Sequence, residues 1–196
     1  LKLGLYGGTF DPIHTGHLIL AESVRSQLAL DRILFIPAAI PPHKKDSKIT
    51  ESAIRYEMIQ LAIANNPHFE VSPIDIDRKG VSYTVDTIKI IQEQMQLQRE
   101  ELFFIIGADN ILGFPSWHKP AEILELCQIV VLPRPEIDLK NIHPMLKDKI
   151  LVVKTPLIEI SSSVIRQLIK QDRSIRYLVP EPVFHYLRRN QVYQPE

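Results

Sequence analysis

Short apolar runs alternate along this chain with longer segments whose apolar residues recur at helical spacing, and that alternation limits the fold more than any other feature. Leu3 to Tyr6 is an apolar run closed by Gly7-Gly8, and Leu18 to Leu30 carries the helical period. Strand, glycine turn and helix are predicted there. The rhythm continues with Ile33 to Ile36, Phe69 to Val71 and Leu102 to Ile106 as strands, and Ser52 to Ala64 and Thr84 to Leu97 as helices. Gln128 to Leu132 and Ile150 to Val153 add strand candidates, while Ser161 to Lys170 and Pro182 to Arg189 give the C-terminal part a helical character. Such alternation predicts an α/β fold, a doubly wound parallel sheet of about five or six strands covered by helices on both faces. Neither a linker-like tract nor a repeat interrupts the sequence, so residues 1–196 are read as a single domain.

Composition narrows the partners. Lys plus Arg (23) balances Asp plus Glu (23) for a formal net charge of +0, which gives no broad electrostatic footprint for nucleic acid or an anionic membrane. Phosphate binding, if present, must be local. The apolar stretches fall short of the roughly 20 residues that span a bilayer, and no charged region precedes an apolar signal core, so a cytoplasmic protein is expected. The single cysteine, Cys127, sits in an apolar run and reads as core filler. A homo-oligomer stays open.

The string Gly7-Gly8-Thr9-Phe10-Asp11-Pro12-Ile13-His14-Thr15-Gly16-His17 joins the first predicted strand to the first helix. Right-handed crossovers place such loops along the ligand-binding edge of an α/β sheet. Two glycines let backbone come close to a ligand, and a helix N-terminus offers unpaired N–H groups with the positive end of the dipole. His14 and His17, three residues apart, fall on one side of an opening turn and could share one phosphate. One histidine after a glycine turn is ordinarily a surface or core residue; the eleven-residue combination is not what a mere tight turn requires. It matches neither the Walker pattern nor the dinucleotide fingerprint.

Later segments carry further candidates. Ser161, Ser162 and Ser163 before Val-Ile-Arg read as a helix start with hydroxyl caps, which puts Arg166 about one turn in, either in solvent or forked toward phosphate. Lys44 lies in a charged loop after Pro41-Pro42-His43, as a solvated residue or as a mobile cation that meets a triphosphate when the loop closes. Asp109 opens a short helix after the Leu102 to Ile106 strand, where it caps that helix or recognises ribose hydroxyls. His43, His68, His143 and His185 show no metal-ligand spacing, so no metal site built from protein side chains is expected.

The string GGTFDPIHTGH resembles the (T/H)xGH signature of the nucleotidyltransferase superfamily, and Ile160-Ser161-Ser162-Ser163-Val164-Ile165-Arg166 is similar to its second signature, with Ser163 in place of threonine. Pro41-Pro42-His43-Lys44, Ser82-Tyr83-Thr84-Val85-Asp86-Thr87, Gly107-Ala108-Asp109-Asn110 and Trp117-His118 follow in the order of the bacterial nicotinate-mononucleotide adenylyltransferase family, from Leu3 to about Tyr193. The resemblance implies a Rossmann-like fold, ATP and nicotinate mononucleotide as substrates, deamido-NAD and pyrophosphate as products, and Mg2+ held through the substrate phosphates. It implies catalytic roles for His14, His17, Lys44 and Arg166. ATP would meet Gly7, Gly8, Thr9, Phe10, His17, Gly107, Asp109, Ile160, Ser161, Ser162 and Arg166. The mononucleotide would meet Thr9, Lys44, Ser82, Tyr83, Thr84, Trp117, His118 and Arg134, with its pyridine ring stacked on Trp117. A pantetheine-phosphate adenylyltransferase shares the histidine signature but not the Ser-Tyr-Thr and tryptophan elements. A non-catalytic nucleotide-binding or sensor module on the same fold is the alternative from another class; intact His14, His17, Lys44 and Arg166 weigh against it, and pyrophosphate release on mixing with ATP and candidate acceptors decides.

Overall fold

The first apolar run becomes the strand on which the sheet is organised. A computed structural model describes residues 1–40, 49–134, 137 and 142–194 of the protein. In chain order the elements are β1 (Leu3–Gly8), α1 (Thr15–Leu28), β2 (Arg32–Pro37), α2 (Ser52–Ile63), β3 (Phe69–Val71), α3 (Ile74–Arg78), α4 (Thr84–Met95), β4 (Leu102–Gly107), α5 (Ala108–Ile111), α6 (Pro120–Leu126), β5 (Gln128–Leu132), β6 (Ile150–Val152), α7 (Ser162–Lys170) and α8 (Glu181–Arg189). The six strands form one sheet in the order β3-β2-β1-β4-β5-β6, and every adjacent pair is parallel. This is the doubly wound, Rossmann-like arrangement expected from the alternation.

The predicted elements are present with shifted ends. The helix expected over Leu18 to Leu30 starts at Thr15, because His14 caps it and draws His17 into its first turn. It stops at Leu28, where Ala29 turns left-handed at φ 50°. β1 continues through Gly7 and Gly8 instead of ending at Tyr6, so the glycines belong to the sheet's edge and not to a separate turn. The five-residue α3 was not anticipated; it is too short for a helical period to show.

Alternate residues of each strand go to opposite faces, and both faces are buried. Tyr6, Phe35, Phe103 and Ile105 point into one core with α1, α2, α7 and α8. Leu3, Leu5, Phe104 and Ile106 point into the other, with α4, α5, α6 and the buried Cys127. Burial pushes that thiol up to about 12, so Cys127 is protonated core filler, as its apolar surroundings predict.

After β3 at one edge, the chain returns across the sheet and lays β4 beside β1. The crossovers thereby reverse direction between β1 and β4. An open sheet forms its crevice at the carboxyl ends of the two strands flanking such a reversal. Replacing Phe35, fully buried among Tyr6, Phe10 and Phe69 beneath that crevice, with Ala should cost about 3–5 kcal/mol of stability in chemical denaturation.

Candidate active site

A cleft of about 1030 Å³ opens over the ends of β1 and β4 and is lined by residues from both faces of the sheet. Small-molecule sites usually occupy roughly 300–1,000 Å³, so this one stands at the upper end of that range. One half lies over the α1–α7 face, with Tyr6, Phe10, His14, His17, Ile160, Ser161 and Ser162. The other lies over the α4 face, with Ser82, Tyr83, Thr84, Trp117 and His118. Gly7, Gly8, Thr9, Gly107, Asp109 and Arg134 line the cleft as well. A Cβ on Gly8 would stand 2.8 Å from the Phe10 ring, so only glycine permits the close turn at the strand's end. Phe10 itself adopts φ 50°, uncommon for a bulky residue. Its ring is buried against Tyr6, Phe35 and His17, and that packing offsets the strain.

His14 and His17 form a reciprocal cap at the start of α1. The His17 backbone N–H donates to His14 Nδ1 at 3.3 Å, and the His14 N–H donates to His17 Nδ1 at 3.2 Å. The two rings stack with centroids 3.6 Å apart and an interplanar angle of 20°. An imidazole whose Nδ1 accepts a backbone proton must carry its own proton on Nε2 when neutral. Burial, followed by Arg134, brings His14 down to about 4. Burial, then His14, then Arg134 hold His17 well below the usual histidine range. Both rings are therefore neutral at pH 7 in the unliganded protein.

Asp11 ties the histidine loop to the second signature and to the C-terminus. Its buried carboxylate accepts the Tyr193 hydroxyl at 2.6 Å. Arg166 donates from Nη1 to the Asp11 carbonyl at 2.6 Å and lies 3.9 Å from the carboxylate. Ser162 donates to the Pro12 carbonyl at 2.9 Å, while Ser161 caps α7 by accepting from the Val164 N–H at 3.3 Å. The two signatures, about 150 residues apart, are thus bonded to each other. Asp11 thus gives the Arg166 guanidinium acceptors within the histidine loop itself.

Beneath this loop lies Arg55, 1% exposed. It donates to the carbonyls of Thr9 (2.7 Å), Ala38 (2.7 Å), Ala39 (3.3 Å) and Thr50 (2.8 Å). One planar cation thereby fixes both loops that follow β1 and β2. Burial pulls its pKa down, and the Asp11 carboxylate opposes that pull. Arg55, Asp75 and Tyr193 were not among the residues singled out from sequence. Arg55 occupies an ordinary helix position, and Tyr193 gains its partner only through the fold.

On the α4 face, Trp117 packs on Phe114 and Phe104 with centroids at 5.3 and 6.1 Å. Tyr83 and His118 stack at 4.5 Å. The buried Ser82 hydroxyl accepts from the Ala39 N–H at 2.9 Å, linking this half to the loop after β2. Tyr83, at the N-cap of α4, gives no side-chain cap, and Thr84, the first residue of that helix, lines the cleft. Buried Asp75 accepts from Thr87 at 2.5 Å and pairs with Arg78 at 3.1 Å. Burial still raises its pKa against the pull of these partners.

Asp109 does not cap α5. Gly107 holds the N-cap position, and the carboxylate instead meets Arg134 Nε at 3.1 Å. That ion pair spans the mouth of the cleft, with both side chains about half exposed. Lys44 lies outside the described residues, as does the preceding Pro41-Pro42-His43. Among the described residues, no group of three His, Cys, Asp or Glu side chains could hold a metal ion, and no helix is long and apolar enough to cross a membrane.

A crevice at a sheet reversal, a helix N-terminus with paired imidazoles and a second ligand-sized half together define an α/β nucleotide-binding protein. The chain belongs to the cytidylyltransferase-like family, whose model matches residues 5–168. A probable nicotinate-nucleotide adenylyltransferase of Dehalococcoides mccartyi is 42% identical over 98% of this chain and 97% of its own. The nicotinate-nucleotide adenylyltransferase of Bacillus subtilis is 40% identical, with 98% of each chain covered. Among solved structures, the nicotinic acid mononucleotide adenylyltransferase of Plasmodium falciparum complexed with NaAD superposes with a TM-score of 0.79. It is 19% identical, covers 98% of this chain and 97% of its own, and supports the fold.

Two stability measurements check the geometry. The unfolded chain binds protons that the folded histidine pair excludes, so this contribution is complete above about pH 6.5 and is lost as pH falls toward about 4. Between pH 7 and 5 the wild type should lose more stability than His14→Asn, which keeps a capping side chain without a titrating ring. Parallel curves would contradict the assignment. Arg55→Met leaves several buried loop carbonyls without a donor and should cost at least about 3 kcal/mol in urea denaturation.

Proposed function

We propose that the protein transfers AMP from ATP to nicotinate mononucleotide, giving deamido-NAD and pyrophosphate, as a nicotinate-nucleotide adenylyltransferase of NAD biosynthesis. The observation that carries this reading is the two-sided cleft, whose halves meet at the imidazole pair. Full-length similarity to relatives named for that activity supports it, as does the likeness in fold to a protein complexed with NaAD. ATP occupies the α1–α7 half and the mononucleotide the α4 half, so their phosphates meet over Gly8, Thr9 and the start of α1.

The acceptor is its own nucleophile. With a second pKa near 6, a phosphate monoester is mostly dianionic at pH 7 and needs no general base. One of its oxygens forms the new bond to the α-phosphorus of ATP while the bond from that phosphorus to the pyrophosphate oxygen breaks. The protein's task is in-line placement and stabilisation of charge on the phosphates. His14 and His17 suit it as Nε2–H donors fixed by their cap; as phosphate charge accumulates beside them, their pKa rises and the protonated form gains. Arg166 exchanges the Asp11 carbonyl for phosphate oxygens, and Lys44 meets the triphosphate. Magnesium is a hard cation that keeps several waters and few protein ligands. The donors along the rim, imidazole N–H and guanidinium groups, suit phosphate oxygens and leave such an ion to be held by those phosphates, where it supplies further charge neutralisation.

In the nucleoside regions, backbone at Gly7 to Phe10 and Gly107 approaches ATP, Asp109 accepts from ribose hydroxyls, and Ile160 to Ser162 pack on adenine. In the acceptor half the pyridinium ring stacks on Trp117, with about 0.5–2 kcal/mol of cation–π attraction. The uncapped N-terminus of α4 at Thr84, with backbone near His118, receives the nicotinate carboxylate. An anion gains more there than a neutral amide, which favours the acid over nicotinamide. Ser82 and Tyr83 shape that wall, and Arg134, released from Asp109, binds the mononucleotide phosphate together with Thr9.

Pyrophosphate release at fixed ATP, compared with nicotinate and nicotinamide mononucleotides, tests the reading. Release with the acid and much less with the amide is expected; release with neither would refute it. His14→Ala and His17→Ala should each lower turnover roughly a hundredfold or more with the far-UV spectrum unchanged. Trp117→Ala should raise the apparent KM for the mononucleotide far more than that for ATP, and equal effects would rule out stacking.

A further inference from the structure

On the floor of the α1–α7 half, Tyr6 rises from β1 between Phe10, Phe35 and His17, with ring centroids 5.5, 5.5 and 6.1 Å away. It is only 7% exposed, yet it lines the cleft, so what remains accessible opens there. Its hydroxyl makes no hydrogen bond with any described residue. Among the described residues the buried side-chain polar atoms without a partner are Arg78 Nη1 and Thr155 Oγ1, so the unpaired Tyr6 oxygen is accessible from the cleft that the residue lines. Burial raises its pKa, which keeps the hydroxyl neutral and able both to donate and to accept.

Position along the strand decides which part of a ligand it meets. Tyr6 stands two residues back from Gly8, about 7 Å deeper than the phosphate-facing rim. Ile105 stands beside it in register on β4, and Leu20, Leu132, Ile158 and Ile160 add aliphatic surface to the same cleft. Apolar walls around one polar group suit a flat heteroaromatic ring, whose faces pack on the aliphatic side chains while its edge takes a hydrogen bond. The charges that act on Tyr6 are Arg134 and Asp109, which oppose each other and are paired at 3.1 Å, so they offer a triphosphate little net charge.

We propose that Tyr6 is a specificity-determining residue that binds the base of the nucleoside triphosphate, its hydroxyl hydrogen-bonding the polar edge of the purine. This rests on the assignment of ATP to the α1–α7 half. The residue makes the base-binding floor polar at a single point, so it adds affinity for the nucleoside without touching the reacting phosphates.

Calorimetric binding of a non-hydrolysable ATP analogue, inorganic tripolyphosphate and nicotinate mononucleotide to the wild type and to Tyr6→Phe tests this. The substitution keeps the ring and removes only the oxygen. It should weaken the ATP analogue about 3- to 10-fold, the net worth of one hydrogen bond. Tripolyphosphate and mononucleotide affinities should stay the same, with Tm unchanged or slightly higher. Unchanged affinity for the analogue, or an equal loss for tripolyphosphate, would overturn the proposal and leave the reaction intact. A wild type that neither binds the analogue nor releases pyrophosphate would overturn the assignment of the half, and the proposal with it.

Discussion

The reciprocal cap between His14 and His17 is the interaction on which the functional geometry depends. Each Nδ1 is occupied by the other residue's backbone N–H, so both Nε2 protons are left for whatever occupies the cleft. A serine or aspartate at this position would cap α1 as well, but it would not leave a second donor aimed outward. The helix cap, through Nδ1, and the donors left over, at Nε2, belong to the same two rings. That economy explains why a three-residue spacing can carry both structure and chemistry.

Holding this cap in place is a buried polar framework and not hydrophobic packing alone. Arg55 gathers the loop carbonyls after β1 and β2, and Asp11 gathers Tyr193 and Arg166 on the other side of the same loop. Such networks are useful only when their members are satisfied, since each unpaired group in low dielectric is costly. The reversal between β1 and β4 then splits the cleft between the two faces of the sheet. Each face brings its own wall, aliphatic with Tyr6 on one side and aromatic with Trp117 on the other. Two different nucleotides can be read independently while their phosphates converge at the sheet's edge.

Much of this was legible in the sequence because it depends on local patterns. Alternating periods marked the parallel sheet, and the glycines, histidines and serines stood where strand ends and helix starts had to be. The rest depends on contacts between distant segments. Arg55 occupies a place in α2 where an exposed arginine is ordinary, and nothing local shows that the guanidinium faces inward. Asp109 had two readings as a cap or a ribose ligand; Gly107 took the cap position, and Arg134, remote in sequence, took the carboxylate. Arg166 lay at the expected helix mouth, but the nearest acceptor there proved to be a backbone carbonyl of the glycine loop. Protonation was equally hidden, since a histidine pair near phosphates suggests cations until burial and mutual stacking are known.

Neutral, tautomer-fixed imidazoles are the central claim, because in-line transfer without a general base needs donors already aimed at the phosphates. Nitrogen-15 NMR of the histidine rings in the unliganded protein tests it most directly. The account predicts that at pH 7 both His14 and His17 show a protonated Nε2 and an unprotonated, hydrogen-bonded Nδ1, with His14 titrating only toward about pH 4 and His17 well below the ordinary histidine range. Titration of either ring near pH 6.5, or a proton on either Nδ1 at neutral pH, would contradict it.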